Sequence, residues 1–122
     1  MIPIEEKQDY IEKAIDIAKS KGFKEFKASL DNFEEPKSFT KVSSQKEILP
    51  DFTARRAGKK YYFDIALKTE NIQPLISKWK LLSQLADMKN GELILFAPRG
   101  HKAFADRITK LYKVNAQIEA LK

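Results

Sequence analysis

One stretch of this chain, residues 49–68, decides how its middle folds, and its sequence is LPDFTARRAGKKYYFDIALK. Two runs rich in apolar and aromatic residues are joined here by a short segment around Gly58. Runs of this length on either side of a glycine are typical of a β-hairpin. We therefore predict two antiparallel strands, over 51–56 and 60–68, that turn at residues 57–59.

The predicted hairpin brings three chemically useful side chains close together. Successive side chains of a strand point to opposite faces, so Asp64, Ala66 and Lys68 are predicted to share one face of the second strand. Hairpin pairing would place Asp51, at the start of the first strand, beside them. Two carboxylates and a lysine around one point are the groups that a divalent metal ion and an attacking water require. The opposite face is apolar and is expected to pack on a helix; it consists of Tyr61, Phe63, Ile65 and Leu67.

Pro50-Asp51 and the acidic residue and lysine that follow resemble the motif of the PD-(D/E)xK nuclease superfamily, which includes many restriction endonucleases and Holliday-junction resolvases. In that family Pro-Asp begins a strand, and the hairpin partner carries an acidic residue, one spacer and a lysine. Pro50-Asp51 matches the first half. The second half departs from the pattern. If Lys68 is the motif lysine, the acidic position holds Ala66; if Asp64 is the motif acid, the lysine position again holds Ala66. A methyl group cannot coordinate a metal, so this departure counts against robust catalysis.

The resemblance implies a role for each candidate side chain. Asp51 and Asp64 would be catalytic residues that hold Mg²⁺ or Mn²⁺, and Lys68 would orient or activate the attacking water. Glu12, on the first helix, would be a third metal ligand, as a glutamate is in the resolvase-like branch of the family. The implied activity is hydrolysis of a phosphodiester bond.

Simpler interpretations stand beside these roles. Glu12 also fits a solvated acidic face of its helix. Asp64 could instead face solvent or pair with Lys68, since a lone buried carboxylate is costly. Lys68 also fits a solvated lysine at the end of a strand. The resemblance further implies a polar residue on the helix after the hairpin that faces the site, for which Lys78 and Gln84 are the candidates.

Hydrophobic periodicity predicts the remaining elements. These are helices over 4–21, 73–89 and 100–112, strands near 26–30, 93–96 and 114–120, and a polar loop over 31–48 with an optional short strand at 39–42. A helix at 114–120 is the competing interpretation. Together with the resemblance, this order predicts one α/β domain over residues 1–122 with a restriction-endonuclease-like, three-layer αβα fold. Its mixed central sheet would have an N-terminal helix and two later helices.

The apolar stripes of the predicted helices identify part of the core. The first stripe comprises Ile4, Ile11, Ala14, Ile15 and Ala18. The second comprises Leu75, Trp79, Leu82, Leu85 and Ala86. The third comprises Ala103, Phe104, Ile108 and Leu111.

Charge is distributed unevenly along the chain. The net charge is +6, but residues 1–50 carry −1 and residues 51–122 carry +7. A basic half beside a nearly neutral half suggests a face that binds a polyanion such as nucleic acid. The competing interpretation is a lysine-rich surface that only keeps the protein in solution.

Two basic clusters are the candidates for nucleic-acid binding. The hairpin-turn cluster comprises Arg55, Arg56, Lys59 and Lys60. The third-helix cluster comprises Arg99, Lys102, Arg107 and Lys110. If both lie on the face that carries Asp51, they form a track for a nucleic-acid backbone, with DNA the expected form. The alternatives are a non-catalytic pseudo-nuclease and a protein-interaction module with a basic docking face.

Composition narrows the remaining possibilities. The chain of 122 residues has no cysteine, which excludes disulfides, zinc–thiolate sites and cysteine nucleophiles and fits a reducing cytoplasm. No apolar run approaches the ~20 residues of a membrane helix. We therefore expect a cytoplasmic protein without a membrane partner, with a homodimer as an open alternative.

Overall fold

The computed structural model describes residues 4–30, 33–36, 39–41 and 46–121, and within these residues the chain forms three helices and seven strands. The helices are α1 (Ile4–Ser20), α2 (Ile72–Met88) and α3 (Lys102–Leu111). The strands are β1 (Lys24–Ala28), β2 (Phe39–Lys41), β3 (Lys46–Ile48), β4 (Phe52–Arg56), β5 (Lys59–Ile65), β6 (Leu93–Pro98) and β7 (Gln117–Leu121).

Five of the described strands form one mixed sheet in the order β1-β4-β5-β6-β7. β1, β4 and β5 are antiparallel neighbours, whereas β5, β6 and β7 run parallel. The turn between β4 and β5 consists of Ala57 and Gly58, whose φ angles are 55° and 78°. Two successive positive φ angles match the twist of paired strands, so this turn closes a tight hairpin. β2 and β3 pair separately.

Helices cover both faces of the sheet, as predicted. α1 packs on one face, and α2 and α3 pack on the other. The crossovers β5–α2–β6 and β6–α3–β7 advance in the same direction across the sheet, and right-handed crossovers then place both helices on the same face. The coarse prediction, an α/β chain with a mixed sheet and an N-terminal helix before it, is confirmed.

Aromatic residues fill the layer between the sheet and α1. The rings of Phe52 and Phe63 are stacked with centroids 4.3 Å apart, and Phe96 lies 6.1 Å from Phe63. Phe23 meets Phe63 edge-on at 5.2 Å. The predicted apolar face of β5 is therefore confirmed, and its alternation also turns Asp64 toward the opposite face.

Most of the predicted elements are confirmed, with small shifts at their ends. The segment near the C-terminus is a strand and not the competing helix. The polar segment before the hairpin contains β2 and β3, so the optional strand is present and has a partner. Val42, the end of that predicted strand, lies outside the described residues. Within the described part of the chain, no helix combines the length and apolar character needed to span a membrane.

The prediction that β5 extends to residue 68 is wrong. β4 begins at Phe52, opposite Phe63, and the parallel pairing of β5 with β6 ends two residues later, at Ile65 opposite Phe96. Ala66 still donates its N–H to the Phe96 carbonyl at 2.8 Å, but Lys68 lies past the strand with an exposed side chain. Lys68 therefore does not share the strand face of Asp64.

The predicted inward face of α3 is also partly wrong. Phe104 and Ile108 are buried, but Ala103 is exposed and Leu111 is 65% exposed. Thr109 is buried instead, and its hydroxyl donates to the Ala105 carbonyl at 2.9 Å. That local hydrogen bond lets a polar side chain occupy a buried position, which apolar periodicity alone does not anticipate.

Candidate functional site

The two predicted aspartates meet where the hairpin begins. Asp51 precedes β4, and its backbone N–H donates to Oδ1 of Asp64 at 3.3 Å. Oδ2 of Asp51 accepts the Ile65 N–H at 2.8 Å. Both residues are buried, with 6% of Asp51 and 2% of Asp64 exposed. The antiparallel register, which pairs Phe52 with Phe63, brings these carboxylates together from positions 13 residues apart in sequence.

Two lysines reach this pair from opposite helical layers. Nζ of Lys7, on α1, lies 3.1 Å from Oδ1 of Asp51. Nζ of Lys78, on α2, lies 3.0 Å from Oδ1 of Asp64. We call Lys7, Asp51, Asp64 and Lys78 the lysine–aspartate quartet. Its formal charges balance when all four groups are ionised.

A tryptophan completes the environment of Asp64. Trp79 is fully buried on α2, and its Nε1–H donates to Oδ2 of Asp64 at 3.0 Å. Trp79 follows Lys78 directly, so one turn of α2 supplies both an ammonium and an indole donor to the same carboxylate. A buried indole N–H needs an acceptor, and Asp64 provides it.

The ionisation of the quartet follows from burial and from the order of its charges. Burial raises the pKa of Asp51 to about 6, and the neighbouring Asp64 carboxylate adds to this rise against the opposing effects of Lys78 and Lys7. Burial alone would also raise the pKa of Asp64, but Lys78, then Lys7 and the hydrogen bonds outweigh it and hold that pKa below its ordinary value. Burial alone would lower the pKa of Lys78, but the two carboxylates raise it. Asp64 and Lys78 therefore form an ion pair, and Asp51 is the more easily protonated of the two carboxylates.

The interpretation in which Asp64 faces solvent is wrong, because Asp64 is buried and is held by Lys78 and Trp79. Lys68, the other partner considered for Asp64, has an exposed side chain, and its backbone N–H donates to Nδ1 of His101 at 2.9 Å. Ala66 is fully buried against the α2 and α3 side of the sheet.

Glu12 lies away from the pair. Its side chain is exposed on α1 and lines a cavity of about 370 Å³ together with Gln8, Asp16 and Lys19, among others. Among the described residues, no three acidic, histidine or cysteine side chains are grouped closely enough to hold a metal ion. The structure thus brings Asp51 and Asp64 together and does not bring Glu12 to them.

The quartet does not fit Mg²⁺ or Mn²⁺ well. These ions require several oxygen ligands at close range. All four carboxylate oxygens of Asp51 and Asp64 already accept from protein donors, two of which are ammonium groups at 3.0 and 3.1 Å. A divalent ion could reach these oxygens only by displacing a lysine.

The two basic clusters lie at opposite ends of the sheet. The hairpin-turn cluster is five residues along β4 from Asp51, a distance of about 17 Å at the usual strand rise. The third-helix cluster begins with Arg99, directly after β6, at the end of the sheet where Asp64 and Lys68 lie. The single track that would join both clusters to Asp51 on one face is not formed.

Side chains of the third-helix cluster and of the β5–α2 connection line a common groove. Lys68 and Arg107 line it together with Glu70, Asn71 and Phe104, among others, and its volume is about 730 Å³. Arg107 also lies over the Phe104 ring, 5.7 Å from its centroid. Lys102 pairs with Asp106 at 3.8 Å, and Lys110 is exposed on the same helix.

The hairpin-turn cluster has a different environment. Arg56 lies 4.1 Å from the centroid of the Phe23 ring and donates to the Lys21 carbonyl at 3.1 Å. Lys60 lies 5.3 Å from the centroid of the Tyr62 ring. Arg55 and Lys59 are exposed. Arg56 is therefore exposed to solvent and also packs on Phe23, a residue of the core.

Sequence reasoning missed Lys7 and assigned Trp79 only to the core. The signal for Lys7 was available, since it lies four residues before Ile11 and seven before Ala14 and so extends the buried stripe of α1. The long stem of a lysine at this position can lie along the apolar surface while its ammonium group reaches a partner, although the spacing does not say which one. Nothing in the sequence indicated that the Trp79 indole would meet Asp64.

Comparisons of this chain with protein-family models, with curated proteins and with solved structures return no match.

Proposed function

We propose that this chain is a restriction-endonuclease-like domain that binds nucleic acid without cutting it. The observation that carries the proposal is the groove at the Asp64 end of the sheet, where Lys68 and Arg107 come together from distant parts of the sequence. Cationic side chains along an open groove suit the phosphate backbone of a nucleic acid.

The order of elements supports the likeness to the nuclease superfamily. α1 precedes a mixed sheet, the β4–β5 hairpin carries both aspartates, and Asp51 follows a proline at the start of its strand. A fold does not determine an activity by itself, so the functional part of the proposal depends on the chemistry of the site.

The state of the site supports binding without hydrolysis. Ala66 stands where the motif needs a charged side chain, and the oxygens of Asp51 and Asp64 are engaged by internal donors. The groove, in which Lys68 and Arg107 outweigh Glu70, lies at the same end of the sheet as this internally neutralised pair of carboxylates. Such a domain would recognise a nucleic acid by its backbone charge.

Fluorescence anisotropy with labelled duplex, branched and single-stranded DNA, and with RNA, tests the proposal. Titrations in EDTA at KCl concentrations from about 50 to 200 mM would give the affinity and its salt dependence. We expect binding that weakens steeply with salt. The double variant Lys68→Glu/Arg107→Glu should bind more weakly and with a smaller salt slope, by roughly one for each lost phosphate contact.

The matched control is Arg55→Glu/Lys59→Glu, which changes the net charge equally at the opposite end of the sheet. It should retain most of the wild-type affinity. Equal losses in both double variants would indicate non-specific charge attraction and would contradict the assignment of the groove. Absence of binding to every nucleic acid would favour a module that docks an acidic protein.

A cleavage assay separates binding from hydrolysis. Supercoiled plasmid and branched DNA would be incubated with wild type and with Asp51→Ala in the presence of Mg²⁺ or Mn²⁺. We expect no cleavage by either protein. Metal-dependent nicking that disappears in Asp51→Ala would replace the proposed function with that of an active phosphodiester hydrolase.

A further inference from the structure

The lysine–aspartate quartet has the charge arrangement of a two-carboxylate cation site, with lysines as the cations. Nζ of Lys7 and Nζ of Lys78 approach one oxygen each of Asp51 and Asp64, at 3.1 and 3.0 Å. They come from helices on opposite faces of the sheet. Two ammonium groups carry the same total charge as one divalent ion.

The remaining oxygens of the pair are also engaged. Oδ2 of Asp51 accepts the Ile65 N–H, and Oδ2 of Asp64 accepts the Trp79 indole N–H. Oδ1 of Asp64 accepts the Asp51 N–H in addition to its contact with Lys78. Within the described residues, no buried side-chain nitrogen or oxygen lacks a hydrogen-bond partner. A metal ion entering here would therefore have to break an existing contact.

We propose that Lys7 and Lys78 take the place of a divalent cation between Asp51 and Asp64, so that the site needs no metal and becomes a metal site only when a lysine is removed. This inference does not depend on the proposed nucleic-acid binding, because it concerns only the buried charges. Two buried carboxylates with too little positive charge repel each other, and a metal ion is an effective way to restore the balance.

The test uses Mn²⁺ as the probe, with thermal unfolding and the electron paramagnetic resonance signal of free Mn²⁺ as the measurements. Wild type should show no change of Tm with Mn²⁺ and should leave the free-ion signal unchanged. Lys78→Met keeps a side chain of similar length without the ammonium. It should unfold at a lower Tm than wild type, and its Tm should rise as Mn²⁺ is added. We expect its dissociation constant for Mn²⁺ to be lower than that of wild type by a factor of at least about ten.

Two further variants assign the effect to the quartet. Lys80→Met removes an exposed lysine from the same helix and should behave like wild type with and without Mn²⁺. Asp51→Asn/Lys78→Met removes one carboxylate as well, and Mn²⁺ should no longer raise its Tm. If Lys78→Met does not fold, Lys7→Met carries the same test, because Lys7 is more exposed than Lys78 and its loss is less disruptive.

Two results would overturn the proposal. One is Mn²⁺ binding by wild type that Asp64→Asn abolishes, since the lysines would then not keep the metal out of the site. The other is a folded Lys78→Met protein that does not respond to Mn²⁺. Neither result depends on whether the protein binds nucleic acid, so failure here is distinguishable from failure of the proposed function.

Discussion

The two ends of the β4–β5 hairpin are both rich in charge, but they hold it in opposite ways. At the Asp51 end, two lysines and two aspartates are paired within 3.1 Å around buried carboxylates. At the turn end, Lys24, Arg55 and Lys60 lie opposite one another on adjacent strands, so like charges face like. Burial requires a specific partner for each charge, whereas solvent tolerates repulsion at modest cost. The lysines of the quartet therefore neutralise buried carboxylates, whereas the basic residues at the turn end lie near one another at the surface.

The largest expected effect is the loss of Asp64. Asp64→Ala would leave the Lys78 ammonium and the Trp79 indole N–H without their acceptor in a largely buried site. Breaking a buried ion pair by removing one partner costs about 3–5 kcal/mol of unfolding free energy. Urea unfolding would measure this value.

The control for Asp64→Ala is Asp106→Ala, which removes a carboxylate from the exposed Lys102–Asp106 pair on α3. Such surface pairs contribute about 0–1 kcal/mol. Comparable losses of unfolding free energy in the two variants would show that the buried pair contributes no more to stability than the exposed pair.

A smaller effect is expected when only the indole donor is removed. Trp79→Phe keeps an aromatic ring but leaves Oδ2 of Asp64 without its donor at 3.0 Å. Leaving a buried acceptor unsatisfied costs about 1–3 kcal/mol, to which the smaller ring adds a cavity. Comparing Trp79→Phe in wild type and in the Asp64→Ala background, which offers the indole no side-chain acceptor, by urea unfolding would separate the two contributions. A loss that is identical in both backgrounds would mean that the hydrogen bond contributes nothing.

Ionisation of Asp51 makes the stability of the folded protein depend on pH. Its pKa is raised from 3.8 to about 6 in the folded protein, so the folded state binds a proton that the unfolded state has released. The stability that this proton contributes is fully present below the unfolded pKa of Asp51 and is lost as the pH rises through the folded pKa. The stability of wild type relative to Asp51→Asn should therefore fall between pH values of about 4 and about 7. Urea unfolding of both proteins across this range is the measurement, and a relative stability that rises with pH would show that the lysines control Asp51.

Much of the fold could be predicted from sequence patterns that each concern a single helix, strand or turn. The turn around Gly58, the alternating face of β5 and most of the α2 stripe are local signals that are confirmed, although Lys59 belongs to β5 and Ile76 is more buried than Leu75. The prediction that Asp51 would lie near Asp64 also followed from hairpin register alone. The details that were predicted wrongly have other causes: β5 ends at Ile65, where its pairing with β6 ends, and Thr109 is buried in α3 because its hydroxyl donates to a carbonyl of the preceding turn.

The composition of the site was harder to predict than its location. Lys7 and Lys78 are separated by most of the chain, and they meet the same pair of aspartates because α1 and α2 cover opposite faces of one sheet. Helical spacing indicates which face of a helix is buried but not which strand residue it will meet. The resemblance correctly offered Lys78 as a residue facing the site, but it also offered Gln84 and Lys68, which are exposed, and it did not indicate Lys7.

The smallest effects are expected at the turn end, where single residues distinguish packing from solvated charge. Arg56→Ala would lose the contact with the Phe23 ring at 4.1 Å and the hydrogen bond to the Lys21 carbonyl, at a cost of about 1 kcal/mol. Lys59→Ala removes an exposed side chain beside the turn and should change the unfolding free energy by less than about 0.5 kcal/mol. Urea unfolding of both variants at low and high salt would compare them. If Lys59→Ala raises the unfolding free energy at low salt but not at high salt, the wild-type side chain repels the neighbouring cations, because salt screens such repulsion. If Arg56→Ala also changes the unfolding free energy by less than about 0.5 kcal/mol, the packing of Arg56 on Phe23 contributes little, and the turn end differs from the quartet in holding only solvated charge.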